Sequence, residues 1–476
     1  MATVPLRLSL AARRRRPPGA LLAIAIALLL AVLVAGPLVK ILWATVAEDG
    51  GAVWSQVAWS RLSPNLLYRP LGNTLALGVL AAVGTTLIGG FLAWLVVMTD
   101  VPFRRTLGVL AALPFMIPSF AAAFAWGVVF RNERVGGQVG LLQELGLAVP
   151  DWLAWGFVPT LLVLIAHYYA LAFLLIAAAL ASINADLVEA GTMSGAGRWR
   201  VLTGITLPVV LPSIVAGVSL TFAGAVSNFA APALLGLPVG MHTLSTRLYG
   251  MISTGQVERG YVLALLLILV AAVALWFSNR IVHGRRSYTT ITGKGGRRRR
   301  FALQTWRWPL FAVAAFIILL TTVVPGVALL LSSLAKQTGA LTSGFTLHYW
   351  IGASDPAFAQ GQAGVLRNPQ FLSAAGTTLL LGVAVAFAAT ILGLAVAYVV
   401  TRRKGTVLAG AISQLAFLPV LIPGIAFGAA YIALFGSPLG PLPALYGTFT
   451  LLVLAGTVYT LPFAVQSGRA AMAQVA

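Results

Sequence analysis

Ten acids, four histidines and no cysteine make up the acid–base and metal-binding side chains of this 476-residue sequence. Without cysteine there are no disulfides and no thiolate metal sites. Imidazole suits many metals, but each histidine has a plainer reading. His167 in AHYYA, with Tyr168 and Tyr169, reads as part of an aromatic belt or a packed helix face. His242 in GMHTL either lines the outer gate or, the preferred reading, makes a loop contact. His283 borders a basic stretch, and His348 sits in TLHYW. The best phosphate-loop candidate, TGKGG at 292–296, lacks the four residues between Gly and Gly-Lys and the Ser or Thr that would meet magnesium. There is no G-x-S-x-G and no H-E-x-x-H. These patterns point away from an enzyme, and neither a cofactor nor a metal site is expected.

The most unusual polar stretch is LVEAGTMSGAGRWRVLTGITLP at 187–208, set between apolar runs. Its chemistry is that of docking. DLVEAGTMSG can form a short helix, with Asp186 suited to the N-terminal end. Gly195 and Gly197 permit a sharp turn, because glycine reaches positive φ without strain. RWRVLTGIT can begin a second helix, and Leu207-Pro208 leads back into the apolar run. Such a projecting helix–turn–helix would present Ala190 and Gly191, small enough for a partner's backbone to come close. Glu189 and Arg198 would then fix orientation by polar contacts.

The elements around this loop are set by hydropathy. The chain is 59% hydrophobic and 9% charged, with mean hydropathy +0.95. Soluble domains carry about 25% charged residues, so a water-soluble globule is excluded. Apolar runs long enough to span a bilayer recur near 20–43, 71–98, 106–130, 157–181, 203–228, 259–282, 309–335, 371–400, 406–436 and 446–468. The alternating ten-residue segments of a membrane barrel are missing, so the expected fold is an all-α polytopic membrane protein. The opening ARRRRPPGALLAIAIALLLAVLVAG has the basic-then-apolar form of a secretion signal. Its apolar run is too long for the usual cleaved kind, and an uncleaved first span is expected.

The net charge of +21 could suggest nucleic acid, but its distribution gives a topology instead. With the N-terminus inside and ten alternating spans, the inner side collects 22 of the 31 bases and three acids, Asp100, Asp186 and Glu189. The outer side holds eight bases and seven acids, and Lys40 falls in the first span. This is the positive-inside pattern of a multi-pass plasma-membrane protein with a cytoplasmic N-terminus. No soluble stretch is long enough to fold a basic nucleic-acid surface, so nucleic acid is not an expected partner.

An internal repeat divides the chain. NTLALGVLAAVGTTLIGGFLAW at 73–94 matches TTLLLGVAVAFAATILGLAVAY at 377–398. Thr74, Leu75, Leu77, Gly78, Gly89 and Ala93 fall on Thr378, Leu379, Leu381, Gly382, Gly393 and Ala397. One residue later in register, LPFMIP (113–118) matches LPVLIP (418–423). Repeats of this kind are common in transporters. The expected organisation is a basic N-terminus (1–19), a first lobe of six spans (20–284, with the polar loop at 186–208), a basic linker (285–308) and a second lobe of four spans (309–476). Continuing the repeat would put a counterpart of Glu189 about five residues past position 476, so the second lobe is expected to be incomplete.

The spacing E-A-G-x3-G-x9-I-x-L-P resembles the E-A-A-x3-G-x9-I-x-L-P loop of permease subunits of binding-protein-dependent ABC importers. Glu189, Ala190, Gly195, Ile205, Leu207 and Pro208 fit that pattern, and Gly191 replaces its second alanine. GNTLALG, LPFMIPSFAAAFAW, FAGAVSNFAAPALLGLPVGMHTLSTRLYG and GFTLHYW resemble the fused two-lobe ferric-iron type. The resemblance covers nearly the whole chain. It implies the MetI-like transmembrane fold in two tandem lobes, with the second truncated. In that family the loop is a coupling helix inserted into a cytosolic ATPase. Each lobe meets one ATPase subunit, so two copies are implied, and a periplasmic binding protein delivers the substrate. Ferric iron is the implied cargo, while thiamine, 2-aminoethylphosphonate and spermidine permeases share the architecture.

Pathway residues are less clearly marked. Ser227 and Asn228 in AVSNFAAP, near the end of the fifth span, either bond to neighbouring helices or line a water-filled path. Pro118 and Pro423, closing the two L-P-x-x-I-P motifs, either shape the path or merely kink the helices. The main rival, an ion-coupled secondary transporter, normally carries ionisable groups within its spans. All ten acids here fall in loops or at span ends.

Overall fold

A computed structural model describes residues 20–48, 51–183, 193–195, 197–283, 301–337, 340–441 and 443–475. Among these, eight helices are long and apolar enough to cross a membrane: α1 (Ala20–Ala47), α2 (Pro64–Met98), α5 (Phe157–Ala181, in a longer run from Asp151), α6 (Leu207–Ser227, in a run from Thr203), α8 (Val257–His283), α9 (Gln304–Leu334), α10 (Pro369–Arg402) and α13 (Phe449–Val475). The runs near 106–130 and 406–436 are not straight spans. Each is a bent pair: α3 (Arg104–Met116) meets α4 (Ser119–Phe130) at 99°, and α11 (Val407–Leu421) meets α12 (Gly424–Phe435) at 115°. Counting each pair as one span gives ten. A short helix, α7 (Leu244–Ser253), precedes α8.

The bends have a local cause. Pro118 and Pro423 each fall in the gap between the paired helices, where a ring in place of an N–H interrupts the helical ladder. Their carbonyls then start the next helix, Pro118 accepting from the Ala121 and Ala122 amides and Pro423 from the Phe427 amide. The repeated L-P-x-x-I-P motif thus marks the same break twice.

The chain divides into two compact units. The larger comprises Ile41–Leu379 with Leu421–Ala433. Its core joins Leu92, Leu95, Tyr169, Phe173 and Ile176 of α2 and α5 to Ala314 and Ile318 of α9. The seventh apolar run of the sequence, α9, therefore packs directly on helices of the first repeat. A π-helical stretch within it, Leu319–Val323, carries Thr321 to within 3.1 Å of the Tyr169 hydroxyl. Beyond α9 the chain adds what the helical reading omitted, an antiparallel hairpin of β1 (Ala335–Gln337) and β2 (Ala340–Phe345). Thr342 donates through its amide and hydroxyl to the Glu144 carboxylate, and Ala335 and Leu341 pack with Ala125 and Val128 of α4.

Between α4 and α5 the chain is locked by one buried amide. Asn132 donates to the Val149 carbonyl (3.0 Å) and to Asp151 (2.8 Å), and accepts from the Trp155 indole (2.9 Å). The Arg131 guanidinium lies 5.5 Å from the centre of the Trp155 ring.

The smaller unit comprises Met1–Lys40, Leu380–Val420 and Leu434–Ala476. There α10 and α13 cross closely: a Cβ on Gly393 would lie 2.6 Å from Ala464, and one on Gly468 would lie 3.0 Å from Ala397. Burying apolar surface gives helices little reason to associate within lipid, so close packing over small residues must supply the attraction.

Candidate functional site

The polar loop is described only in part. Glu189, Ala190 and Gly191 lie outside the described residues. Gly195 takes positive φ (82°), as a tight turn requires, whereas Gly197 does not; its carbonyl accepts from the Val201 amide and opens the following helix. That helix runs from Arg198 through a π-helical stretch, Leu202–Thr206, into α6 without interruption. Pro208 falls just after the π-helical stretch of this continuous run, where its ring removes one backbone donor. Ile205 is half-buried and Leu207 is exposed. The I-x-L-P ending therefore lies within one continuous helical run between loop and span.

At the far end of α6 the candidate pathway residues are held in a hydrogen-bonded cluster. The Asn228 amide donates to the Ser119 hydroxyl (3.0 Å) and to the Tyr168 hydroxyl (3.3 Å). Its side-chain oxygen accepts from the Ala231 amide (3.0 Å), and its backbone carbonyl from the Ser245 hydroxyl (2.9 Å). An amide side chain has two N–H donors, and both are used here. Tyr168 passes its own proton to the Gly224 carbonyl (3.0 Å). Ser227 donates to Ala223 of its own helix (2.6 Å). Pro118 is exposed and precedes Ser119, so the α3–α4 break delivers the serine to Asn228; Pro423 is buried at the other break.

The cluster extends around the start of α7. Thr243 and Thr246 form a reciprocal capping box, and Thr243 and Ser245 share a hydrogen bond of 2.9 Å. Thr74 of α2 accepts from the Leu244 amide (2.8 Å), and Asn73 donates to the His242 carbonyl (2.9 Å). Asn73, Thr74, Tyr168, Thr243 and Ser245 escaped the sequence reading as a group. The available signals were G-N-T at the head of the repeat and T-L-S-T ahead of an apolar helix.

Three of the four histidines have described surroundings. His167 stacks on Phe115 (centroids 5.8 Å apart) and meets Tyr168 edge-on, lining a cavity of about 130 Å³ with Trp126, Thr321 and Pro325. His242 lies outside the spans, its pKa lowered first by burial and then by the charge of Arg247. His348 stacks on Phe358. No three His, Cys, Asp or Glu side chains gather as a metal site among the described residues.

Part of this arrangement is similar to known proteins. Residues 85–287 match the model of the binding-protein-dependent transport system inner membrane component. That interval holds the 186–208 loop, α6 and Asn228 with Ser119, Tyr168, Thr243 and Ser245, while Asn73 and Thr74 precede it. A Haemophilus influenzae protein, assigned by its name to a ferric transport system as permease, is 24% identical over 90% of this chain and 65% of its own length. The ferric transport system permease protein of Actinobacillus pleuropneumoniae is 23% identical over 87% of this chain and 58% of its own. The molybdenum transport system permease of Escherichia coli K12 is 28% identical over 43% of this chain and 89% of its own length. The chain thus spans about three fifths of the first two relatives. Residues 85–287 are thus similar to the binding-protein-dependent transport system inner membrane components, the family that the E-A-G-x3-G-x9-I-x-L-P spacing resembles.

Proposed function

We propose that this chain is a permease of an ABC importer that moves ferric iron delivered by a binding protein. One observation carries the cargo: two relatives named for ferric transport align with this chain over about nine-tenths of its length. The molybdenum permease aligns with less than half. ATP is hydrolysed by a separate cytosolic subunit, present in two copies, since no phosphate loop stands in this sequence.

In this reading the N-terminus and the 186–208 loop face the cytoplasm, as the distribution of arginines supports. Glu189 and Arg198 orient the loop in the ATPase, with Ala190, Gly191 and Gly195 allowing close approach. Closure of the ATPase pair then pushes on a continuous helix through Ile205, Leu207 and Pro208 into α6. The far end of that lever is Asn228, bonded to α4 through Ser119 and to α5 through Tyr168. Motion of α6 is thereby transmitted to the helices around the path at the two proline breaks, Pro118 and Pro423. Residues 20–284 act as the first lobe, 285–308 as its linker and 309–476 as the second-lobe segment of this chain.

The direct test is uptake of radiolabelled ferric iron by cells carrying the full transporter, its ATPase and its binding protein. Glu189→Arg is expected to reduce uptake by about tenfold or more, an energetic loss near 1.4 kcal/mol, while membrane levels stay unchanged. Normal uptake and normal ATPase association in that variant would overturn the coupling role. Uptake of molybdate but not iron by the parent would overturn the cargo.

A further inference from the structure

The turn between α2 and α3 holds the entry to α9. The Phe301 amide donates to the Met98 carbonyl (2.8 Å) and the Asp100 amide to the Phe301 carbonyl (3.2 Å), making a parallel bridge between Thr99 and Phe301. The Asp100 carboxylate, the one acid of this turn, is engaged by the Leu303 amide (2.8 Å). Two helix starts rich in arginine are thereby brought together: Arg104 and Arg105 open α3, and Arg307 stands in the first turns of α9.

Aromatic side chains surround these bases. Phe103 is 68% exposed, Trp306 66% and Trp308 56%. The Phe103 and Trp308 rings each lie 5.9 Å from Phe311, and the Arg307 guanidinium is 5.7 Å from the Trp308 ring centre. Large rings left open at a helix end are suited to the headgroup level of a bilayer, where their apolar bodies leave water. Guanidinium groups at that depth match phosphate oxygens in charge and in planar hydrogen-bond geometry. Arg297 to Arg300 precede Phe301 in the sequence and add charge of the same sign.

We propose that the Phe103–Arg105 turn and the Trp306–Trp308 segment form a binding site for the phosphate headgroup of an anionic phospholipid. Its arginines take the headgroup, and its aromatic rings lie against the upper acyl chain. The site rests on the membrane-spanning character of α2 and α9 and is independent of what the permease carries.

The test uses the full chain in nanodiscs of phosphatidylcholine doped with equal fractions of brominated phosphatidylglycerol or brominated phosphatidylcholine. Comparing the parent with Trp306→Phe/Trp308→Phe isolates the emission of those two indoles. Brominated phosphatidylglycerol is expected to quench that emission more strongly, because each arginine near the surface favours anionic lipid, giving roughly thirtyfold enrichment for two. In Arg105→Gln/Arg307→Gln the excess should vanish while quenching by brominated phosphatidylcholine is unchanged; the intact 297–300 run leaves the topology signal in place. Equal quenching of the parent by the two lipids would overturn the proposal. Excess quenching that persists in the arginine variant would also overturn it.

Discussion

A Cβ atom on Gly89 would lie 2.7 Å from the carbonyl oxygen of Tyr169, nearer than any side chain can be accommodated without moving a backbone. The repeat partner Gly393 is equally crowded by Ala464, 2.6 Å away. The pairing found by aligning letters therefore reflects one packing problem met twice, helix backbones crossing with nothing between them. Gly78 is also packed, against Phe222 and Val226 of α6, yet its partner Gly382 has nothing within 4 Å.

Substitution should separate these positions. Gly89→Val or Gly393→Val is expected to destabilise the folded protein by about 1–3 kcal/mol through overpacking. Gly382→Ala should be neutral or gain up to about 1 kcal/mol, since alanine is the better helix former. Thermal unfolding in detergent, followed by size-exclusion fluorescence, reads all three. A Gly89→Val variant that melts like the parent would show that α2 and α5 can part without cost.

The Asn228 cluster makes a quantitative case. Side-chain hydrogen bonds within membranes average only about 0.6 kcal/mol, so no single one fixes the helices. Asn228→Ala removes three of them at once and should cost roughly 1–2 kcal/mol on that scale. In a double-mutant cycle, Ser119→Ala should couple to Asn228→Ala by about 0.6 kcal/mol. Strict additivity would mean that the contact carries no energy.

His242 gives a pH dependence of definite sign. Burial and then Arg247 hold its folded-state pKa below the ordinary 6.5. Between the folded and unfolded pKa values the unfolded chain binds more protons, so stability is full above pH 6.5 and declines as pH falls below it. The melting temperature should drop between pH 7 and pH 5.5, by less in His242→Asn (about the interval in which an ordinary histidine titrates). Equal drops in both proteins would assign the effect to other groups.

Much of the frame was legible because lipid imposes long apolar helices. The eight straight spans follow from hydropathy. The bends were not legible as such. LPFMIP and LPVLIP announce a break, but a 99° or 115° turn depends on what the freed carbonyls meet in space. The β1–β2 hairpin was missed because strands of three and six residues are too short for any period to register. The Asn132 and Asn228 clusters join residues far apart in the chain, from Asn73 to Ser245 in the second case. Each member is an ordinary polar residue until its partners are placed. The packing of α9 on the first repeat was equally hidden, since hydropathy gives a span its length and no address.

The bridge between Thr99 and Phe301 bears on how the chain comes together as it is made. Its two sides are separated by four spans' worth of synthesis, so the α2–α3 turn must wait, unpaired on that edge, until the linker has emerged. Once α9 has docked on Leu92, Tyr169 and Phe173, the covalent connection at 285–300 adds little to what that packing already holds. Two polypeptides, one ending and the other beginning within the linker, should therefore find each other when co-expressed. Co-purification of the halves through a tag on one of them measures this. Failure to recover the untagged half would mean that the tether, and not the surface, brings α9 home.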